Sequence, residues 1–246
     1  MKYSIGITTY EYRFDQWLKP LVQKIKQLRP EAEIHIAVNG EHNKRFDEEY
    51  RKKVLQFISE QNNTFVFMYP TFRSLSKLWN NLIINSSNHN VLILNDDVTI
   101  TDRSFFDSLE SVSYDIFKIN GSWSHAMFDR RVVDDIGWFD ERYLGIGEED
   151  GDFEWRYGNK TQGRSIPSVS LPGIINHVDS KNCLQGINVV NGKYSKFNLE
   201  FAFNKKYEES TTGRNYGIMN KVLKCVSPTP PLHTTESFYW ENRDKL

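Results

Sequence analysis

The sequence predicts an α/β fold, a mostly parallel sheet flanked by helices, and three observations predict it. Short apolar runs alternate with stripes at helical spacing through the first two-thirds of the chain. One run, Val91–Leu94 (VLIL), is continuously apolar, as in a parallel strand buried on both faces. Helix-patterned segments of about 10–15 residues separate the runs, which marks βαβ units rather than hairpins.

Taken in order, Tyr3 to Thr8 reads as a strand, and residues 15–28 follow with Leu18, Leu21, Val22, Ile25 and Leu28 at helical spacing. Pro20 falls in the first turns of that helix, where proline is tolerated. Glu33 to Val38 (EIHIAV) is a second strand, ended by the turn signal Asn39-Gly40. Residues 46–60 place Tyr50, Val54, Phe57 and Ile58 on one helical face. Thr64 to Tyr69 is a third strand, stopped by Pro70, and Leu75, Leu78, Trp79, Leu82 and Ile83 stripe the next helix before VLIL. Beyond residue 113 the pattern loosens: a strand over 115–119, a short helix over 132–136, an acidic crowd at 148–154 and one or two strands in 166–178. From about 195 the chain is rich in aromatics and charge, and Pro228, Pro230 and Pro231 mark a rigid turn or linker. No internal repeat is visible.

The 246 residues suffice for one large or two small domains with a core that needs no staple. A hydrophobic share of 39% and a charged share of 26% are those of an ordinary globular protein, and aromatics at 14% suit a sizeable pocket. The formal net charge of -1 supplies no field for nucleic acid. The two cysteines, Cys183 and Cys225, have neither disulfide-framework nor zinc spacing, which favours a reducing compartment. The opening apolar stretch is too short for a secretory signal, and no apolar run is long enough to span a bilayer. The expectation is a cytoplasmic protein, at most peripheral at the inner face of a membrane.

Two clusters carry chemistry. Asn95-Asp96-Asp97 directly follows VLIL, and ligands of open α/β sheets bind beyond the carboxyl ends of strands. Carboxylates there can hold a hard cation through oxygen ligands, or form a polar turn before the helix that starts near Asp102. The second cluster runs Glu148-Glu149-Asp150-Gly151-Asp152-Phe153-Glu154-Trp155-Arg156, after Gly145 and Gly147. Crowded carboxylates repel unless solvated, paired or metal-bound, and one can take the raised pKa of a general base; an exposed acidic helix N-terminus is the alternative. Asp152 and Arg156 are i, i+4 partners on a helix and are read as shaping this loop.

In order and spacing the two clusters resemble a family 2 glycosyltransferase, an inverting enzyme of GT-A fold, over roughly residues 3–180. The opening IGITTYEYR is similar to the loop that holds the nucleotide base. Asn80 stands fifteen positions before Asn95, as the family's helix asparagine stands before its DxD motif. GWFDERYLGIGEEDGDFEWR, residues 137–156, resembles the block whose aspartate is the catalytic base. Asn95 departs from the family's usual first aspartate, and Leu82 stands where glycine is frequent.

The resemblance implies a GT-A domain over 1–194, its nucleotide-binding half about 1–100 and its acceptor half about 101–194. Residues 195–246 would form a C-terminal extension for acceptor binding or oligomerisation. It further implies transfer of a sugar from a nucleoside-diphosphate donor, UDP favoured, to a hydroxyl of a glycan or lipid-linked glycan. Asp150 is then the base with Glu149 beside it, and Asp97 and His177 hold Mn²⁺ or Mg²⁺. Thr8, Tyr10, Arg13 and Asn39 flank base and ribose, Asn80, Asn95 and Asp96 line the same donor site, and Asn95 bonds ribose. Frequent Lys, Asn and Ile fit a bacterial surface-polysaccharide enzyme. Two alternatives stand beside this: an inactive GT-A domain serving as a binding subunit, and a sugar nucleotidyltransferase, whose glycine-rich opening loop ITTYEYR lacks.

Overall fold

The computed structural model describes residues 2–10, 12–40, 45–177, 193–209, 223–230 and 236–246. Two compact units interleave along the chain. The first comprises residues 1–72, 81–132 and 167–188, the second residues 73–80, 133–166 and 189–246.

The first unit holds a seven-stranded sheet. Its strands are β1 (Tyr3–Tyr10), β2 (Ile34–Asn39), β3 (Thr64–Met68), β4 (Asn90–Asn95), β6 (Ile116–Ile119), β7 (Ser122–Asp129) and β8 (Ser168–Val169). They lie in the order β3-β2-β1-β4-β7-β6-β8. β3, β2, β1 and β4 are mutually parallel, and β7 returns antiparallel to β4. The register pairs Thr8 with both Ala37 and Asn95, and Tyr10 with Asn39. The carboxyl ends of β1, β2 and β4 therefore lie side by side, where the order reverses between β1 and β4. Ligands of open α/β sheets bind at such a switch point.

The crossovers are α1 (Lys19–Leu28), α2 (Glu48–Ser59) and α3 (Leu75–Asn85), with α4 (Ser104–Glu110) following the short strand β5 (Val98–Ile100). β5 pairs with β9 (Ile174–Asn176) in a two-stranded ribbon. Each helix buries the stripe its sequence shows: Leu21, Val22 and Ile25 on α1, and Tyr50, Val54, Phe57 and Ile58 on α2. Asp47 caps α2 by accepting from Glu49 N–H at 2.9 Å and Tyr50 N–H at 3.2 Å, with Glu48 and Glu49 favoured in the first turn by the helix dipole. Leu82, at the family's glycine position, packs on β1 at Gly6. A Cβ on Gly6 would stand 3.0 Å from Leu82 Cβ and 2.7 Å from Ile93 Cδ1, so the bulk missing from the strand is supplied by the helix.

Two details differ from the sequence expectation. Residues 14–18 form a π-helical turn ahead of α1 rather than its first turns. The eight-residue β7 was not expected, because SWSHAMFD mixes polar and apolar positions without clean alternation.

The second unit carries α6 (Glu149–Lys160), after α5 (Arg130–Ile136), and then α7 (Lys193–Phe201). A π-helical turn at 202–206, the hairpin β10 (Tyr207–Glu209) with β11 (Leu223–Cys225), and α8 (Glu236–Asn242) complete it. Tyr143, Trp155, Phe201, Ala202 and Tyr207 form one apolar cluster, and Leu144, Tyr239 and Leu246 another. Cys183 lies outside the described residues.

Candidate functional site

At the switch point, β1 and β4 deliver their polar ends to one another. Thr8 donates its hydroxyl to Asn95 Oδ1 at 2.8 Å, and Asp96 N–H donates to Thr8 C=O at 3.0 Å. Thr9 donates to Asp96 Oδ2 at 2.5 Å. Arg13, beyond β1, closes a fork on Asp96, Nε to Oδ2 at 2.9 Å and Nη2 to Oδ1 at 2.7 Å. The same Nη2 stands 3.1 Å from Asp97 Oδ2. One guanidinium thus bridges two adjoining carboxylates, with Arg13, Asp96 and Asp97 all buried.

Burial works against the Arg13 charge, but attraction to Asp96 and then Asp97 outweighs it and holds the guanidinium charged. Burial also pushes the Asp96 carboxyl up, to about 6, against the pull of Arg13 and the Thr9 hydrogen bond. Asp97 is different: its Oδ1 is buried with no hydrogen-bond partner. On the neighbouring strand, where Leu94 pairs with His125, that histidine is also buried and its Nδ1 is unpartnered. Burial lowers the His125 pKa to about 4, with the Asp97 charge opposing, so the ring is neutral. His177 N–H donates to Asp97 C=O at 2.9 Å, its Nε2 lies 3.0 Å from Thr99 Oγ1, and its ring stands 5.3 Å from that of Trp17.

Thr8, Arg13, Asn39, Asn95, Asp96 and Asp97 accordingly lie in the first unit, on β1, β2, β4 and the turns beyond them, and His177 lies in the same unit just after β9. Tyr10 ends β1 opposite Asn39, which is fully buried. Asn80 is committed elsewhere. Its Nδ2 donates to Phe139 C=O at 2.8 Å and Glu141 Oε1 at 3.1 Å, and its Oδ1 accepts from Phe139 N–H at 3.1 Å, all within the second unit. Sequence reasoning passed over Thr9, Trp17 and His125. Thr9 was within reach, as the next residue of the strand end already singled out; His125 belongs to the strand whose pattern was not legible.

The acidic block forms the first turn of α6. Glu149 is buried and its Oε2 has no hydrogen-bond partner. Burial, and next the charge of Asp150, push the Glu149 carboxyl well above the ordinary carboxylate range. Asp150 is half-buried, and its Oδ1 accepts from Gly151 N–H at 2.8 Å. Asp152 turns inward: Oδ1 accepts from Tyr207 OH at 2.6 Å and Tyr143 OH at 3.0 Å and lies 2.7 Å from Lys206 Nζ. Oδ2 accepts from Arg156 Nε at 2.9 Å, the i, i+4 pair expected from sequence. Burial alone would raise Asp152, but Lys206 and then Arg156 hold it below the ordinary carboxylate range. Glu149 and Asp152, three residues apart, are thus driven in opposite directions by their surroundings, a pattern found at functional sites and in ion-pair networks alike.

Asp97 supplies an orphaned buried oxygen, the kind of group a divalent cation satisfies, and His177 a nitrogen donor on the adjoining backbone. No group of three or more His, Cys, Asp and Glu suited to a metal occurs among the described residues. One or two protein ligands still fit Mg²⁺ or Mn²⁺ used with a phosphate substrate, because such ions keep waters and phosphate oxygens in their shell.

No protein-family model matches the chain, and no curated protein sequence matches it. Among solved structures it is similar to TarS from S. aureus, at 14% identity over 82% of this chain and TM-score 0.53. The chain spans 44% of the length of that TarS structure. It is similar to TarS 1–349 in complex with UDP, at 13% identity, 83% of this chain, 73% of that chain and TM-score 0.50. It is also similar to glucosyl-3-phosphoglycerate synthase from Mycobacterium tuberculosis in complex with Mn²⁺, UDP and phosphoglyceric acid. That likeness has 9% identity over 90% of this chain and 86% of that chain, at TM-score 0.52. At these identities the likeness is one of fold: a mixed α/β domain on a mostly parallel sheet, of the GT-A nucleotide-binding type.

Proposed function

We propose that this chain is a glycosyltransferase that moves a sugar from a nucleoside-diphosphate donor, UDP favoured, to a hydroxyl of a glycan or lipid-linked glycan. The observation that carries the reading is the buried Arg13–Asp96–Asp97 cluster at the switch point, with Thr8 and Asn95 joined across β1 and β4. Burying such charges costs desolvation that their attraction need not repay, and departures of this kind are expected at functional sites. UDP in the complexes of TarS 1–349 and the M. tuberculosis synthase supports the donor assignment.

Base and ribose fall to Thr8, Tyr10, Arg13 and Asn39, with Asn95 toward ribose. Asp97 through its orphaned oxygen, with His177, would hold the Mn²⁺ or Mg²⁺. When bound, that cation offsets charge on the departing diphosphate. Asp150 takes the proton of the acceptor hydroxyl as its oxygen attacks the anomeric carbon. The bond from that carbon to the diphosphate breaks with the electron pair leaving on the diphosphate, so the configuration inverts. Glu149, whose carboxyl is pushed well above the ordinary carboxylate range by burial and then by the Asp150 charge, stands beside that base in the first turn of α6. Surface-polysaccharide synthesis remains the compositional expectation for the pathway class.

Asn95 in place of an aspartate, and no three-residue ligand group among the described residues, favour a second reading: a non-catalytic domain that binds the nucleotide and serves as an assembly subunit. Release of UDP from UDP-sugars, compared between the wild type and Asp150→Ala, separates the two. The transferase reading expects turnover to fall by about 100-fold or more, with UDP affinity unchanged within about twofold. Equal turnover in the variant removes Asp150 from the base role.

A further inference from the structure

We infer that Asn198, on α7, is the positioning residue that holds the loop leading into Glu149 and Asp150. The loop is conformationally expensive. Gly145, Gly147 and Glu148 have φ of 66°, 108° and 79°, three left-handed residues within four positions, and Glu148 has a side chain to accommodate there. A left-handed non-glycine residue persists only where its surroundings over-determine it, and such residues cluster at functional sites.

Asn198 provides that over-determination. It is fully buried, and each polar atom of its amide meets loop backbone. Leu144 N–H donates to Asn198 Oδ1 at 2.8 Å, while Nδ2 donates to Leu144 C=O at 2.9 Å and Gly147 C=O at 2.7 Å. The same helix presses Tyr194 onto Gly145, where a Cβ would stand 2.5 Å from the ring. Leu75 N–H donates to Gly145 C=O at 2.8 Å from another side. The three Asn198 bonds bracket the loop from its entry at Leu144 to the residue before Glu148, the N-cap of α6. The last fixed residue, Gly147, is therefore two and three positions before Glu149 and Asp150, the carboxylates that the proposed mechanism uses. α7 lies mostly in the segment expected from sequence to serve acceptor binding or oligomerisation, and Asn198 gives it a positioning task as well.

The inference rests on the glycosyltransferase reading for its functional consequence, but not for its structural one. The test uses the full chain with Asn198→Ala and Asn198→Asp, which keeps the acceptor for Leu144 N–H and loses the donors. Amide exchange is measured across 144–152, UDP with Mn²⁺ is titrated as the binding probe, and UDP release is measured from UDP-glucose and UDP-N-acetylglucosamine. The expected result for the alanine variant is at least about tenfold faster exchange in the loop, unchanged exchange in β1 and β4, and UDP affinity within about twofold. Turnover falls at least about tenfold with donor KM little changed, and the aspartate variant keeps Leu144 protected while losing turnover. Unchanged loop exchange overturns the inference, as does global unfolding of both variants, which would show that Asn198 supports the whole unit. Absence of UDP release and of UDP binding in the wild type counts against the glycosyltransferase reading alone, since loop exchange still decides what Asn198 does.

Discussion

Replacing Lys206 with methionine removes a cation that is entirely inaccessible to water and lies 2.6 Å from Asp140 Oδ2 and 2.7 Å from Asp152 Oδ1. Both carboxylates stay buried, each with one arginine left: Arg142 Nη2 on Asp140 at 2.7 Å and Arg156 Nε on Asp152 at 2.9 Å. Breaking a buried charge pair from one side costs about 3–5 kcal/mol, and the remaining arginines place this case near the lower end, at about 3 kcal/mol. With a urea slope of about 2 kcal/mol per M, the unfolding midpoint should fall by about 1.5 M. Tryptophan fluorescence is a suitable probe, since the Trp155 ring stands 4.6 Å from Tyr207 within the network. The pH dependence is fixed in sign. Lys206 holds Asp152 and Asp140 below the ordinary carboxylate range in the folded protein. That contribution is present above the unfolded carboxylate pKa of about 4 and is lost as pH falls through the folded values. The deficit of the variant should therefore be largest near pH 7 and shrink below about pH 4. A deficit under about 1 kcal/mol at pH 7, or one that grows on acidification, would refute this account of the network.

Gly145→Ala adds a Cβ at φ 66° and 2.5 Å from Tyr194, and should cost about 3 kcal/mol by denaturant unfolding. Gly163→Ala is its control: φ is 91° with nothing within 4 Å, so only the backbone cost of about 1 kcal/mol is expected. Asp47→Ala, which removes the two cap bonds of α2, should cost about 1 kcal/mol in the same assay and leave UDP binding untouched.

The first unit was legible because its signals are local. A stripe on α2 or the continuous VLIL run states its partner in its own spacing, and parallel order follows from the alternation of elements. The end of β4 was legible as a ligand position for the same topological reason. Ion pairing was less so. Arg13 was read as a flank for the nucleotide, and its fork on Asp96, which joins residues 83 positions apart, had no local signal. Asn198 carried no signal, and Lys206, beside Lys205 and the aromatics Phe201, Phe203 and Tyr207, read as an acceptor cover, a dimer contact or a membrane contact rather than as a buried ion. Its burial follows from a bond to Asp140, 66 positions away, that only folding makes. His125 was hidden in SWSHAMFD, where burial comes from pairing with β4 rather than from the strand's own alternation.

The central claim, a nucleotide-diphosphate site closed by a cation on Asp97, is tested most directly by thermal unfolding of the wild type and Asp97→Asn with UDP, each with and without Mn²⁺. At about a hundred times its dissociation constant, UDP should add about 2.7 kcal/mol to the wild type in the presence of Mn²⁺. It should add markedly less without the metal, and Asp97→Asn should lose the metal-dependent part while folding normally. A wild type that UDP does not stabilise under either condition, or an Asp97→Asn variant that keeps the full metal-dependent shift, would contradict the claim.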